Sequence, residues 1–113
     1  MEQMKKIIAL SILVLTLMTI HSCKKDIPES DMDFVGIWYG DYTELEIIEN
    51  GSGNYDYDDG FVTKYIHGKV KIKNNILKFK ALVFSKKYTI DQRPVTDSYG
   101  TYMILDDETF TKY

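Results

Sequence analysis

The sequence predicts an all-β protein, built as a small antiparallel meander that closes into a barrel or remains a flattened half-barrel. From residue 34 onward the apolar runs are short, alternate with polar residues and are rich in β-branched and aromatic side chains. Gly, Asn and Asp separate these runs, and no stretch shows the 3.6-residue period of an amphipathic helix. The predicted strands span residues 35–40, 42–49, 53–58, 61–67, 69–74, 76–84, 86–91, 101–106 and 109–113.

The pair Asn74-Asn75 predicts a two-residue hairpin turn, because asparagine tolerates the left-handed conformation that such turns require. This turn pairs Ile72 with Leu77 and Val70 with Phe79, so the apolar side chains share one face. The opposite face carries Lys69, Lys71, Lys73, Lys78 and Lys80. Such a face is either simply solvated or meets an anionic partner, such as lipopolysaccharide phosphates or an acidic glycan.

The segment Asn50-Gly51-Ser52 predicts a second hairpin with a three-residue loop. That loop pairs Ile47 with Tyr55 and Leu45 with Tyr57, which keeps one face apolar, whereas a two-residue loop would mix the two faces. The opposite face then collects Glu44, Glu46, Asp56 and Asp58. One hairpin is therefore acidic on its outside and the other basic, and the two faces could neutralise each other where they adjoin.

The first 22 residues predict an export signal. Lys5 and Lys6 precede an apolar run over residues 7–20, whose 14 residues suit a signal-peptide core. As a helix this run spans only about 21 Å, against a hydrocarbon core of roughly 30 Å. The run ends in Ile20-His21-Ser22-Cys23, which resembles the lipobox of bacterial lipoproteins. The resemblance implies cleavage before Cys23 and fatty acyl chains, palmitate among them, on that cysteine.

Residues 23–33 are then expected to be the lipidated cysteine and a flexible polar tether, spanning at most about 35 Å when extended. Lys24, rather than aspartate, follows the cysteine, which by likeness to bacterial lipoprotein sorting favours the outer membrane. The tether is acidic and resembles the export tags of Bacteroidetes surface lipoproteins. The expected location is therefore a lipid-anchored position on the outer membrane, facing the periplasm or the cell surface, with the membrane itself as the first partner.

The segment Gly36-Ile37-Trp38 opens the folded part and resembles the Gly-x-Trp signature of lipocalins. The likeness is greatest to the small lipocalin-like domains of Bacteroidetes lipoproteins, and it covers roughly residues 34–113. It implies an antiparallel barrel that the tryptophan closes at one end. Trp38, Tyr55 and Tyr57 are the candidate ligand contacts, the tyrosines because alternating tyrosines can line a carbohydrate or protein contact surface, although such tyrosines can also pack half-buried on a small sheet. The folded part is about half as long as a full lipocalin, so a wide ligand cup is not expected, and Trp38 also has a purely structural interpretation as a core residue.

The inventory of charged and reactive side chains argues against nucleic-acid binding and catalysis. Beyond residue 22, twelve Lys and Arg stand against sixteen Asp and Glu, a net charge of −4, which is not the basic excess of a nucleic-acid binder. His67 is the sole histidine of that part, and no nucleophile motif accompanies it. No catalytic residue, metal or cofactor is therefore expected.

The acidic run from Asn54 to Gly60 invites a calcium hypothesis but fails the EF-hand template. Asp59 stands at the sixth position, where that loop requires glycine, and Tyr65 stands at the twelfth, where it requires glutamate. A looser calcium site at Asp56, Asp58 and Asp59 stays open as an alternative, although a turn rich in aspartate and glycine needs no metal.

These observations predict a membrane-anchored envelope lipoprotein that acts as a non-enzymatic binding or accessory protein. Its partner would be lipopolysaccharide, a glycan or an envelope protein. The alternative is a protein–protein interaction or inhibitor module of an outer-membrane complex. A cavity lined by Trp38 and neighbouring tyrosines would favour the first function, whereas a filled interior would favour the second.

Overall fold

The computed structural model describes residues 26–113, which form a closed barrel of eight antiparallel strands in up-and-down order. A 3₁₀ helix, Glu29–Phe34, precedes the first strand. The strands are β1 Gly36–Tyr39, β2 Thr43–Ile47, β3 Ser52–Asp58, β4 Thr63–Lys73, β5 Ile76–Ala81, β6 Phe84–Asp97, β7 Gly100–Leu105 and β8 Glu108–Lys112. Each strand pairs with the next, and β1 pairs with β8 to close the barrel. The predicted all-β class is confirmed, in its barrel form.

The inward-pointing side chains fill the barrel with apolar and aromatic groups. Burying one leucine or phenylalanine side chain contributes about 1.5–3 kcal/mol, so this interior is the main source of stability. The largest side chains with almost no exposed surface are Trp38, Phe34, Phe79, Phe110, Leu45, Ile47, Leu77, Met103 and Leu105.

The hairpin between β4 and β5 has the predicted register. Lys73 pairs with Ile76, Ile72 with Leu77, and the remaining pairs follow. Asn74 and Asn75 have φ angles of +54° and +60°, which is the left-handed conformation expected for a tight two-residue turn.

The hairpin between β2 and β3 keeps its predicted faces but not its predicted register. Leu45 pairs with Tyr55, not with Tyr57, and Ile47 pairs with Gly53, not with Tyr55. The three-residue loop is residues 49–51 rather than 50–52. Gly51 has a φ of +86°, and the third position of this loop type takes a left-handed residue, which places glycine rather than serine there. The shift is two residues, so every side chain stays on its predicted face.

The structure has eight strands where the sequence predicts nine, because β4 continues through Gly68. The predicted break between strands 61–67 and 69–74 does not occur. A side chain on Gly68 would overlap the carbonyl oxygen of Lys80, so this glycine permits a close approach between β4 and β5. Strand β6 also runs past its predicted end at residue 91 to Asp97, with register shifts against β7 on both sides of Gln92. Pro94, which lacks a backbone N–H, lies within the second shift, where no ladder hydrogen bond is needed.

Part of the expected tether is packed onto the barrel. Ile27 and Phe34 are buried, and the backbone N–H of Ile27 donates to the carbonyl oxygen of Glu49 at 2.9 Å. Arg93 of β6 donates to the carbonyl oxygen of Ser30 at 3.1 Å. Most residues of this segment are polar, but Ile27 and Phe34 are apolar, and their burial at the barrel end stabilises the packed position of the segment. Cys23 and the export signal over residues 1–22 lie outside the described residues.

The up-and-down order distinguishes two ends of the barrel. The 3₁₀ helix lies at the end that holds the β2–β3 loop and the second half of β6, which we name the capped end. Successive connections alternate between the two ends of the strands, so β1–β2, β3–β4, β5–β6 and β7–β8 belong to what we name the far end.

Candidate functional site

The predicted lysines form one continuous basic surface on the outside of β4, β5 and β6. Lys71 pairs with Lys78, and Lys78 pairs in turn with Lys87 of β6, so three ammonium groups occupy one row across three strands. Lys69 pairs with Lys80 in the row beside it. We name this set the lysine surface; it consists of Lys69, Lys71, Lys73, Lys78, Lys80 and Lys87.

Like charges dominate the electrostatics of the lysine surface. The pKa of Lys78 lies below its usual value, first because the side chain is partly withdrawn from water and then because of Lys87, Lys80 and Lys71. The ion pairs within residues 26–113 join Arg93 to Asp31 and Asp33, so no carboxylate of that part neutralises the lysine surface. Facing like charges destabilise a sheet, so an anion bound here would relieve that repulsion.

The acidic face predicted on β2 and β3 exists, but it does not adjoin the lysine surface. Glu44 pairs with Asp56 on the outside of the barrel. Across the next ladder, Asp56 pairs with Tyr65 and Asn54 with His67. The rings of Tyr65 and His67 stack with centroids 6.5 Å apart and separate the two charged faces. The expected mutual neutralisation is therefore not found among the described residues.

A groove of about 450 Å³ opens near the far end, between the beginning of β4 and the beginning of β6. Lys86 points inward there, with its ammonium group 4.8 Å from the ring centroid of Tyr88 and 6.0 Å from that of Tyr55. Cation–π contacts of this kind hold a charged side chain against apolar rings. The groove therefore offers apolar walls and cations to a small amphipathic anion. Its lining consists of Tyr55, Lys64, Tyr65, Ile66, Phe84, Ser85 and Lys86.

The three aromatic residues predicted to contact a ligand occupy different environments. Trp38 is fully buried, and its indole N–H donates to the carbonyl oxygen of Phe34 at 2.8 Å, so it joins the core to the 3₁₀ helix. Tyr55 is buried at the base of the groove. Tyr57 is half-buried, and its hydroxyl donates to Asp59 at 2.9 Å, which raises the pKa of Tyr57. Only Tyr55 of the three lines the groove.

The barrel interior also holds a buried tyrosine, Tyr88, that the sequence did not single out. Its ring lies edge-on to Phe110 at 5.8 Å between centroids and tilted against Tyr55 at 6.3 Å. Burial is the main cause of its strongly raised pKa, with the charge of Tyr55 next and hydrogen bonding to Thr43 acting in the opposite direction. Tyr88 is therefore a neutral hydrogen-bonding group over the ordinary pH range.

The acidic loop between β3 and β4 uses its carboxylates to fix its own backbone. Asp59 accepts hydrogen bonds from the N–H groups of Phe61 and Val62 at 2.8 and 2.7 Å. These two bonds, and that from Tyr57, hold the pKa of Asp59 below its usual value. Asp58 accepts from the N–H of Gly60 at 2.9 Å. Within residues 26–113 no three histidine, cysteine, aspartate or glutamate side chains are placed to hold a metal ion.

Lys86 and Lys87 are the residues of this region that sequence reasoning missed. The predicted strand 86–91 contains both, but the predicted partner strand, 76–84, includes the true turn residues and therefore gives no register for this pair of strands. The true turn is Leu82-Val83, and it pairs Lys78 with Lys87 and turns Lys86 inward. Apolar turn residues give no turn signal, so the sequence held no cue for this boundary.

Two further findings bear on what the chain is. Over the part of the chain that the structure describes, no helix has both the length and the apolar composition needed to cross a bilayer. No protein-family model matches the chain, and neither curated proteins nor solved structures include a significant match to it.

Proposed function

We propose that this protein is a lipoprotein of the bacterial outer membrane, anchored through Cys23, which acts as a non-enzymatic binding protein for an anionic partner. The observation that carries the proposal is the lysine surface. It has six lysines on three adjacent strands, five of which face another lysine, and no carboxylate of residues 26–113 lies within 4 Å of their ammonium groups. The lipobox-like Ile20-His21-Ser22-Cys23 supplies the location. Anchoring raises the local concentration of the lysine surface at an anionic envelope, so moderate affinity suffices.

The lysine surface is tested by capture of partners from native envelope membranes. Lys71→Gln with Lys78→Gln removes two charges from the central row. Thr109→Glu with Thr111→Glu changes the net charge equally on exposed positions of β8. We expect the lysine variant to recover at least about tenfold less partner, equivalent to 1.4 kcal/mol, and the β8 variant to behave as wild type. Equal recovery by both variants would refute the electrostatic proposal.

The anchor is tested separately. Cells grown with labelled palmitate are expected to label the wild-type protein and not the Cys23→Ser variant, because Cys23 is the single cysteine of the chain. Absence of label from wild type would refute the anchor while leaving the lysine surface open to the capture experiment.

A second candidate function is a protein–protein interaction or inhibitor module. The filled barrel favours it, since Trp38, Phe79 and Phe110 leave the described interior packed with side chains. Capture of a stoichiometric envelope protein that survives high salt would support this candidate, because an apolar interface is not screened by salt whereas the lysine surface is. Loss of the captured partner at high salt would favour the anionic partner.

A further inference from the structure

The tip of the hairpin between β5 and β6 exposes three consecutive large apolar residues. Leu82, Val83 and Phe84 are 92%, 89% and 67% exposed. Scattered apolar residues on a surface need no explanation, but three adjacent ones at a protruding turn form a patch that water disfavours. The patch lies at the far end, away from the 3₁₀ helix.

The backbone of this turn also departs from what local chemistry favours. Leu82 has a φ of +53°, a conformation that a leucine side chain disfavours. The two-residue turns at 74–75 and at 106–107 place asparagine or aspartate at their left-handed positions. The β5–β6 turn therefore carries leucine and valine although both turn formation and solubility favour polar residues or glycine. That combination indicates a tip that is buried by something outside the barrel.

Lysines follow the apolar tip on the outer face of both strands of the hairpin. Lys78 and Lys80 lie on β5 and Lys87 lies on β6, whereas Lys86 points into the groove. Long lysine side chains let their apolar stems lie along a hydrophobic boundary while the ammonium groups remain at its polar side. An apolar tip followed by a cationic face matches the profile of a bilayer with anionic headgroups, which is apolar in depth and negative at its surface. A protein pocket would match the tip but has no general reason to be followed by an extended negative surface along the hairpin.

We propose that the β5–β6 hairpin inserts Leu82, Val83 and Phe84 into the interfacial layer of an anionic bilayer. The lysine surface then lies along the headgroups. This deepens the proposed function, on which it rests, by naming the anionic partner as a lipid surface.

The position of the amino-terminal segment agrees with an orientation in which the lysine surface of the barrel lies against the bilayer. Ile27 is packed on the barrel, and only residues 24–26 lie between it and Cys23. The four steps from Cys23 to Ile27 span at most about 14 Å when the chain is fully extended. The capped end is thereby held close to the membrane that carries the lipid. The lysine surface runs from the turn at 74–75 at the capped end to the tip at the far end. Anchor, lysines and tip can therefore touch one bilayer when the barrel lies on this side.

The test follows a fluorescent probe on the lipidated protein reconstituted into vesicles. Ser85→Cys places a thiol beside the intact tip, and Ser98→Cys places one in the β6–β7 turn at the capped end; both serines are exposed. Each is labelled with nitrobenzoxadiazole, in vesicles of phosphatidylcholine with or without about one-third phosphatidylglycerol. In anionic vesicles we expect the Ser85 probe to brighten severalfold and to be quenched by nitroxide lipids, and the Ser98 probe to do neither.

A matched variant removes the apolar tip without weakening the turn. Leu82→Gly with Val83→Ser supplies the residue types that a turn with a left-handed first position favours, so the fold is expected to be at least as stable as wild type. In the Ser85→Cys background this variant should leave the probe in water. Thermal unfolding of both proteins shows that the change is not one of folding.

Two results would overturn the inference: a Ser85 probe as water-exposed as the Ser98 probe in anionic vesicles, or equal insertion into vesicles of phosphatidylcholine alone. Neither depends on the anchor. Wild-type protein that takes up thiol label has a free Cys23, which contradicts the proposed lipidation instead. An inserted probe on such unlipidated protein would support the hairpin without the anchor.

Discussion

Trp38 offers the sharpest test of how the barrel is held together, through the substitution Trp38→Phe. Its indole N–H donates to the carbonyl oxygen of Phe34 at 2.8 Å, and the side chain has no exposed surface. Phenylalanine keeps an aromatic ring in the same place but has no donor and a smaller volume. The variant therefore removes one buried hydrogen bond and opens a small void.

The cost follows from these two losses. A buried carbonyl left without its donor costs about 1–3 kcal/mol. A void of roughly 40 Å³, at about 24 cal/mol per Å³, adds about 1 kcal/mol. The free energy of unfolding should therefore fall by about 2–4 kcal/mol, a large part of the ~5–15 kcal/mol that holds an average domain together.

Urea unfolding followed by circular dichroism measures this loss as a lower midpoint with an unchanged slope. Tyr39→Phe is the matched control, because it removes a hydroxyl from the neighbouring exposed position of β1 and should change stability by less than about 0.5 kcal/mol. A Trp38→Phe variant within 1 kcal/mol of wild type would show that the bond to Phe34 does not couple the 3₁₀ helix to the core.

Three other predictions concern packing, pH and the amino-terminal segment. Gly53→Ala should lower the free energy of unfolding by about 2–3 kcal/mol, because the added methyl group would overlap Val70 inside the barrel. Gly60→Ala is the control, because φ is +87° there but nothing lies within 4 Å of an added methyl group, so this change should cost only about 1 kcal/mol. Equal urea midpoints for the Gly53→Ala and Gly60→Ala variants would contradict the steric explanation. Because the pKa of Tyr88 is raised in the folded protein, the unfolded chain loses the Tyr88 proton at a lower pH than the folded protein does. The contribution of Tyr88 to the free energy of unfolding is therefore complete below pH 10 and should fall as the pH rises above 10. Tyr88→Phe should flatten that fall between pH 9 and pH 11, and an unchanged slope would assign alkaline unfolding to other groups. Arg93→Gln removes the bonds of Arg93 to Ser30 and Asp31, a loss of ~1 kcal/mol, and should accelerate amide exchange in the 3₁₀ helix by about fivefold. Amide exchange in β5 is the reference that should not change.

At the β4–β5 hairpin the turn chemistry of the sequence predicts the structure to the residue. Asn74-Asn75 fixes the register of β4 with β5, and with it the facing lysines. At the β2–β3 hairpin the side-chain alternation gives the correct faces, but alternation has a period of two and cannot distinguish registers that differ by two residues. The left-handed requirement of the loop decides between them, and Gly51 meets it.

The failures arise where a local signal is absent or serves a non-local purpose. Gly68 separates two predicted strands, but in the structure it lies within β4 and lets β4 and β5 approach each other closely. Leu82-Val83 forms a turn with no turn residue, so Lys87 could not be assigned to the lysine surface beforehand. The polar segment before β1 conceals the packing of Ile27, which depends on the shape of a barrel end that the sequence does not reveal.

The seam between β1 and β8 rests on few contacts: the residue pairs Trp38–Lys112 and Tyr39–Thr111 and the bond from the N–H of Tyr113 to Ile37. A force on the amino-terminal segment would separate so short a ladder if it acted on β1 directly. Before such a force reaches β1, the chain is bound to the β2–β3 loop through Ile27 and to β6 through Arg93. We therefore expect β2, β3 and β6 to share a load on this segment before the β1–β8 ladder carries it.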